Sequence, residues 1–260
     1  MKSYGWLLVF VVTIVALAGS IAALSTLASA APVPSDKDKD KEHEGKNVDS
    51  GSFSVFQNGH RLGTETFSIY QTNAGSVIQS EFKTEHTPPD VQSSELRLTA
   101  TGDIHRYEWK ESSPEQAQST VVPNEEFLNQ KWRSGEGDKE HEQPYLLPPS
   151  TMILDDYFFV HREVLAWRYL ASACKQDGGR VQCPLKQRAQ MGTLNPHQHA
   201  SAAMSVEFLG REKLNLKSGP QDLLKLELKN ESGTWQLWLD DQFKVMRMTI
   251  VGENTEVLRD

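Results

Sequence analysis

Apolar and polar side chains alternate with a period of two along most of the chain beyond residue 50. Phe53 and Val55 alternate with Ser52 and Ser54, and beyond Asn58-Gly59 Phe67 and Ile69 alternate with Thr66 and Ser68. Asn-Gly between two such runs is a strong hairpin signal, because both residues tolerate positive φ. A polar turn at 72–75 leads into a strand from Val77 to Glu85, closed by Pro88-Pro89. Leu96, Leu98 and Ala100 then share a face, and after Thr101-Gly102-Asp103 so do His105, Tyr107 and Trp109. The last third repeats the rhythm at Met204, Val206 and Phe208, at Leu224, Leu226 and Leu228, and at Trp235, Leu237 and Leu239. Residues 243–251 and 256–258 supply the closing strands. Successive strand side chains point to opposite faces, so this rhythm predicts two antiparallel meanders.

Two stretches break the pattern. Residues 112–149 are rich in Glu, Gln, Gly and Pro and read as loop, most plainly at 134–140. Beyond them Leu154, Phe158, Leu165 and Tyr169 fall at helical spacing, with Asp155-Asp156 where acidic groups favour a helix N-terminus. One helix is predicted near 152–171, packed on the sheet. Strands around Trp238 and Met246 are apolar on both faces. One face should therefore pack on a helix or second layer, and the other curve around apolar material. The fold class is mainly β (α+β): a curved antiparallel sheet or half-barrel with one packed helix.

The N-terminus adds a compartment. Gly5 to Leu27 carries no charge, Lys2 flanks it, and Ala28-Ser29-Ala30 fits the small-x-small pattern read by signal peptidase. The apolar run is also long enough to cross ~30 Å of hydrocarbon. Residues 1–30 are thus a signal peptide or a transmembrane anchor, and both place the domain in the periplasm or outside the cell. Membrane contact follows only if the segment is kept. Residues 31–50, with alternating charges from Ser35 to Lys46, read as a disordered linker before a domain at 51–260. A net charge of -8 without a basic cluster argues against nucleic acid as a partner.

Candidate chemistry is sparse. Cys174 and Cys183 flank Gly178-Gly179, which lets the chain reverse, and in an oxidising compartment they predict a disulfide. Their spacing is far from a Cys-x-x-Cys redox pair. His197 and His199 would share a strand face and could share a metal, yet they follow Asn195-Pro196, so two solvated loop histidines are the plainer reading. His161-Arg162-Glu163 lacks a second histidine where Leu165 stands, which defeats a zinc-protease reading. Asp155-Asp156 and Asp240-Asp241 have local roles at a helix start and a turn. With no nucleophile elbow, phosphate loop or dinucleotide fingerprint, neither a catalytic residue nor a cofactor is expected. Trp109, Trp238 and Tyr107 are the aromatics whose strand faces could present a ligand surface.

Two stretches carry a resemblance. The run from Gly51-Ser52-Phe53-Ser54-Val55 through Asn58-Gly59 to Gly63-Thr64-Glu65-Thr66-Phe67 resembles the first hairpin of a group of uncharacterised exported bacterial proteins. Trp235-Gln236-Leu237-Trp238-Leu239-Asp240, returning through Phe243-Lys244-Val245-Met246-Arg247, resembles their penultimate hairpin. Those proteins are similar to the lipoprotein-carrier type of half-barrel wrapped around a helix. The resemblance implies a fold and a compartment and brings no catalytic residues. The expected function is a non-catalytic cell-envelope protein binding a lipid or other amphiphile on its curved sheet, or docking an envelope partner. The alternatives are a secreted metal-dependent hydrolase using His197 and His199, and a tethered structural or interaction domain.

Overall fold

The computed structural model describes residues 45–260 except 149, 178, 179 and 218; the signal or anchor segment and most of the linker lie outside them. The first meander comprises β1 (Lys46–Gln57), β2 (His60–Gln71), β3 (Gly75–Thr84), β4 (Val91–Thr99), β5 (Ile104–Ser113), β6 (Gln118–Asn124), β7 (Phe127–Arg133) and β8 (His141–Tyr145). A short β9 (Met152–Ile153) precedes the helix α1 (Val160–Ala173) and the small hairpin β10 (Lys175–Asp177) and β11 (Arg180–Gln182). The second meander is β12 (Arg188–Asn195), β13 (Ala200–Leu216), β14 (Gly219–Asn230), β15 (Gly233–Leu239), β16 (Val245–Ile250) and β17 (Thr255–Arg259).

These strands, apart from β10 and β11, build one curved sheet in the order 8-7-6-5-4-3-2-1-17-16-15-14-13-12-9. Each meander pairs sequence neighbours, and the two are joined in mid-sheet by β1 against β17, with Phe53 opposite Arg259 and Gln57 opposite Thr255. The edges β8 and β9 are connected by residues 146–151, so the sheet is open but barrel-like. Turn chemistry sets the registers. Asn58 and Gly59 take φ of 52° and 78° between Gln57 and His60, as a primed hairpin turn requires. Gly75 takes φ of 146°, and a Cβ there would lie 1.9 Å from the Leu98 carbonyl oxygen, so only glycine fits.

The sheet wraps around α1. Phe53, Phe67, Ile69, Ile78, Leu96, Tyr107, Val121, Leu128, Val206, Leu226, Leu237 and Val257 form one core with Val160, Leu165, Ala166 and Tyr169 of the helix. Hydrogen bonds to α1 arrive from all around: from Glu65 on β2, Gly102 beside β5, Phe208 on β13 and Val245 on β16. No helix among the described residues is long and apolar enough to cross a membrane. Cys174 and Cys183 form the expected disulfide across the β10–β11 hairpin.

Three expectations are corrected. The linker ends earlier than residue 50, because β1 already begins at Lys46 and pairs there with Gln71. Residues 112–149 are not mainly loop but carry β6, β7 and β8. Their inward positions include Ser119 and Gln130 beside Val121 and Leu128, all buried, so polar side chains hide the strand rhythm. The helix starts at Val160 rather than near 152. Met152 and Ile153 instead pair in parallel with Thr193 and Leu194, and the chain turns inward at the buried Asp155 before α1 begins.

Candidate functional site

Four of the residues singled out from sequence, Tyr107, Trp109, His197 and His199, lie where the two edges of the sheet meet. His197 lies in the β12–β13 turn, and its ring stacks on Trp109 at 4.0 Å with Tyr157 at 4.8 Å on a tilted approach. Nδ1 lies 2.7 Å from Asp155 Oδ2, and Nε2 lies 3.0 Å from Gln92 Oε1. Tyr107 donates to the same Asp155 oxygen at 2.7 Å, while the Tyr157 amide donates to Oδ1 at 3.0 Å. Asp155 is fully buried. Burial alone would raise its pKa, but the hydrogen bond and charge of His197, with the charge of His161 and the Tyr157 amide, hold it below the usual carboxylate range.

A second bridge crosses the same seam. Gln130 on β7 donates to the Pro196 carbonyl at 2.6 Å and to Ser119 Oγ at 2.9 Å, and accepts from the Tyr145 hydroxyl at 3.0 Å. His199, at φ of 50°, stacks on Trp132 at 4.1 Å. Burial pushes its imidazole pKa down, helped by His197 and His141. His197 and His199 therefore occupy separate aromatic niches, rather than one strand face, and they are packed rather than solvated. Among the described residues no group of three His, Cys, Asp or Glu is arranged to hold a metal ion.

The interior around α1 is unusually charged. Glu65 accepts from the Phe159 amide at 2.7 Å, from the Val160 amide at 3.3 Å and from Ser80 Oγ at 2.6 Å. It thus caps a helix that begins 95 residues further on. Burial pushes its carboxyl up to about 7 against these donors. His161 is fully buried with neither ring nitrogen hydrogen-bonded within the described chain, and burial pushes it down to about 4. Arg162 stacks on Trp235 at 4.2 Å, and burial lowers its pKa against the charges of Asp156, Asp155 and Glu65. At the other wall Arg259 binds Asp49 at 2.6 Å and Glu163 at 3.1 Å, and Lys244 joins Asp49 at 2.8 Å. Burial pushes the Glu163 carboxyl well above its ordinary range.

Tyr107 and Trp109 are thus brought together with His197, on the inner face. Trp238 is on the outer face, covered by Lys225 at 4.9 Å and Arg247 at 5.1 Å, with its indole N–H donating to Glu212. That clamp explains the two-sided apolar pattern of β15 without a second layer. Nothing local marks Gln92, and the local sequence accounts for Asp155 as a helix start and for Arg162 as part of a run without metal-site spacing, so none of the three stands out as a site residue. Glu65 did leave a signal, a carboxylate in the inward phase of Phe67 and Ile69. A mainly apolar cleft lies at the far end of α1: 580 Å³, lined by Val48, Trp167, Leu170, Ala171, Cys174, Gln242 and Phe243. The Trp167 indole donates to the Phe243 carbonyl at 2.6 Å, which fixes the ring in the wall.

No protein-family model matches the chain, and comparison with curated proteins gives no match either. Among solved structures the chain is similar to a beta-barrel-like protein of a domain of unknown function, DUF1849, from Brucella abortus. The two are 8% identical with a TM-score of 0.50, over 81% of this chain and 94% of that one. At that identity the match shows the fold alone, a barrel-like curved sheet. It does not extend to the lipoprotein-carrier type in particular.

Proposed function

We propose that this is a non-catalytic protein of the cell envelope that holds the apolar part of an amphiphile at the end of the barrel where α1 finishes. The cleft between Trp167, Leu170, Phe243 and Val48 carries this reading. Its 580 Å³ falls within the ~300–1,000 Å³ typical of small-molecule sites, and its aromatic wall is fixed in advance, which lowers the ordering cost of binding. The site differs from the one expected from sequence. The concave sheet face is filled by α1 and its core, whereas the cleft at the end of the helix leaves room for an apolar chain. Export fits the apolar segment at 5–27, and the -8 net charge fits a partner other than an anionic polymer.

The hydrolase alternative is weaker on geometry. A general base must reach a substrate proton, yet both nitrogens of His197 already face oxygens of Asp155 and Gln92. That engagement of both ring nitrogens supports a positioning role for His197.

Titration with a single-chain lysophospholipid, followed by tryptophan fluorescence, tests the proposal. Saturable binding is expected, weakened about tenfold, or ~1.4 kcal/mol, by Trp167→Ala and unchanged by Trp238→Ala. Absence of saturable binding, or equal losses in both variants, would overturn it. Fractionation of the host cell and the intact mass of the isolated protein test export and removal of residues 1–30.

A further inference from the structure

The N-terminal end of α1 holds a second opening, unrelated to the cleft at Trp167. This pocket of 220 Å³ is lined by Arg162 and Trp235 within, and by Asp156, Glu231, Glu253 and Gln198 toward solvent. Its size is below that of drug-sized sites and suits a small polar molecule. Arg162 is only 4% exposed, and its guanidinium stacks on the Trp235 ring at 4.2 Å and lies 5.2 Å from Phe159. Nη1 donates to the Asp155 carbonyl at 3.0 Å. Nε is buried and has no hydrogen-bond partner. Among the described residues no carboxylate comes within ion-pairing distance of Arg162, whereas Arg259, which reaches α1 from β17, is held by two.

A buried guanidinium with an idle Nε is costly unless something completes it. With Nη1 committed to a backbone carbonyl, the side of the group bearing Nε–H is the one left unpaired. That side, with the neighbouring Nη2, is a planar fork matched to a carboxylate. A free anion is nevertheless a poor candidate. Asp156, Glu231 and Glu253 are exposed on the rim, and the chain as a whole is acidic. An entering molecule meets negative charge first and a single cation only at the bottom.

We infer that this pocket takes a small zwitterion, its carboxylate completing the unpaired fork of Arg162 at the bottom and its ammonium group among the rim carboxylates. A free amino acid or a dipeptide carries both charges. Trp235 forms the floor beneath the guanidinium and reports on occupancy through its fluorescence. The amide side chains of Asn195, Gln198 and Asn230 line the same pocket and offer further polar contacts. Gln198 already orients one rim carboxylate, donating to Asp156 at 2.9 Å. The site shares no lining residue with the apolar cleft, so either assignment stands or falls without the other.

Calorimetric titration of the isolated protein with L-alanyl-L-alanine, L-alanine, acetate, ethylamine and phosphoethanolamine tests the assignment. The dipeptide or the amino acid should bind at least about tenfold tighter than acetate or ethylamine, which each carry half of the charge pattern. Arg162→Lys should weaken dipeptide binding about tenfold or more. Because a buried arginine can be needed for folding, the exposed pair Glu231→Gln with Glu253→Gln supplies a second reading: an unchanged melting temperature and binding at least about threefold weaker. Among the tests without phosphate, three results would each overturn the inference. They are no dipeptide or amino-acid binding to about 10 mM, which is some ~2.7 kcal/mol of affinity, acetate binding as tightly as the dipeptide, and insensitivity to the rim substitutions. Tighter binding of phosphoethanolamine would replace the carboxylate with a phosphate and overturn the assignment as made.

Discussion

The sheet is completed in two places, and they are closed by different means. At the join, β1 and β17 share a backbone ladder, and Arg259 ties it inward to Asp49 and to Glu163 on α1. At the seam, β8 and β9 have no ladder between them. Closure there rests on rings and single hydrogen bonds: Trp109 on His197, Trp132 on His199, and Gln130 on the Pro196 carbonyl. A ladder fixes register residue by residue, whereas stacked rings tolerate small slides. The join should therefore behave as the rigid spine of the domain, and the seam as the line along which it opens.

The largest way to break that contrast is at the spine. Arg259→Met leaves Glu163 and Asp49 buried with Lys244 as their remaining cation, and should cost about 3–5 kcal/mol of stability in chemical denaturation. A loss under about 1 kcal/mol would show that the ladder alone holds the join.

Next in size is a pH effect shared by both ends of the helix start. Glu65, at about 7 when folded and 4.5 when unfolded, keeps a proton in the native chain that the unfolded chain has released, so its contribution to stability grows as pH falls from 7 to 4.5. His161, at about 4 when folded and 6.5 when unfolded, does the reverse: only the unfolded imidazole gains a proton, so stability is lost as pH falls from 6.5 to 4. Each slope amounts to about 3 kcal/mol in full, and they oppose one another between 4.5 and 6.5. Glu65→Gln should leave stability rising with pH in that window, and His161→Asn should leave it falling. Urea melts of both variants across the window decide the matter, and identical profiles would remove the burial account.

The disulfide lies on the path from α1 to β12. Replacing Cys174 and Cys183 by serine should cost about 2.5–3 kcal/mol on the chain-entropy account. The smallest effect sharpens the contrast most. His197→Phe keeps a ring on Trp109 but removes the partner of the Gln92 oxygen and one of the two donors to Asp155 Oδ2, at about 1–2 kcal/mol. Amide exchange should quicken in β8 and β9 and stay slow in β1 and β17. Uniform quickening would mean that seam and spine open together.

Much of the fold was legible in local sequence. The Asn58-Gly59 hairpin, the alternation through β2–β5 and β13–β16, the cysteine loop and the single helix are all encoded by neighbours along the chain. What escaped depends on partners far away. The start of α1 is set by Glu65 from β2, so Asp155-Asp156 gave a false boundary. The strands β6–β8 carry buried Ser119 and Gln130 whose polarity makes sense only once the seam is formed. The histidine niche needed Gln92, more than 100 residues from His197, and no spacing rule reaches that far.

The spine has one more consequence, for the order of assembly. Asp49 and Arg259 stand 210 residues apart, yet they and their strands stitch the two halves together in the centre of the sheet. A growing polypeptide can form each meander early, but both stay bare along one side until the last strand emerges. During that interval the halves present unpaired strand edges to any similar surface nearby. Assembly should therefore be slow, and crowding or a shortened C-terminus should turn it toward precipitation long before it harms the finished molecule.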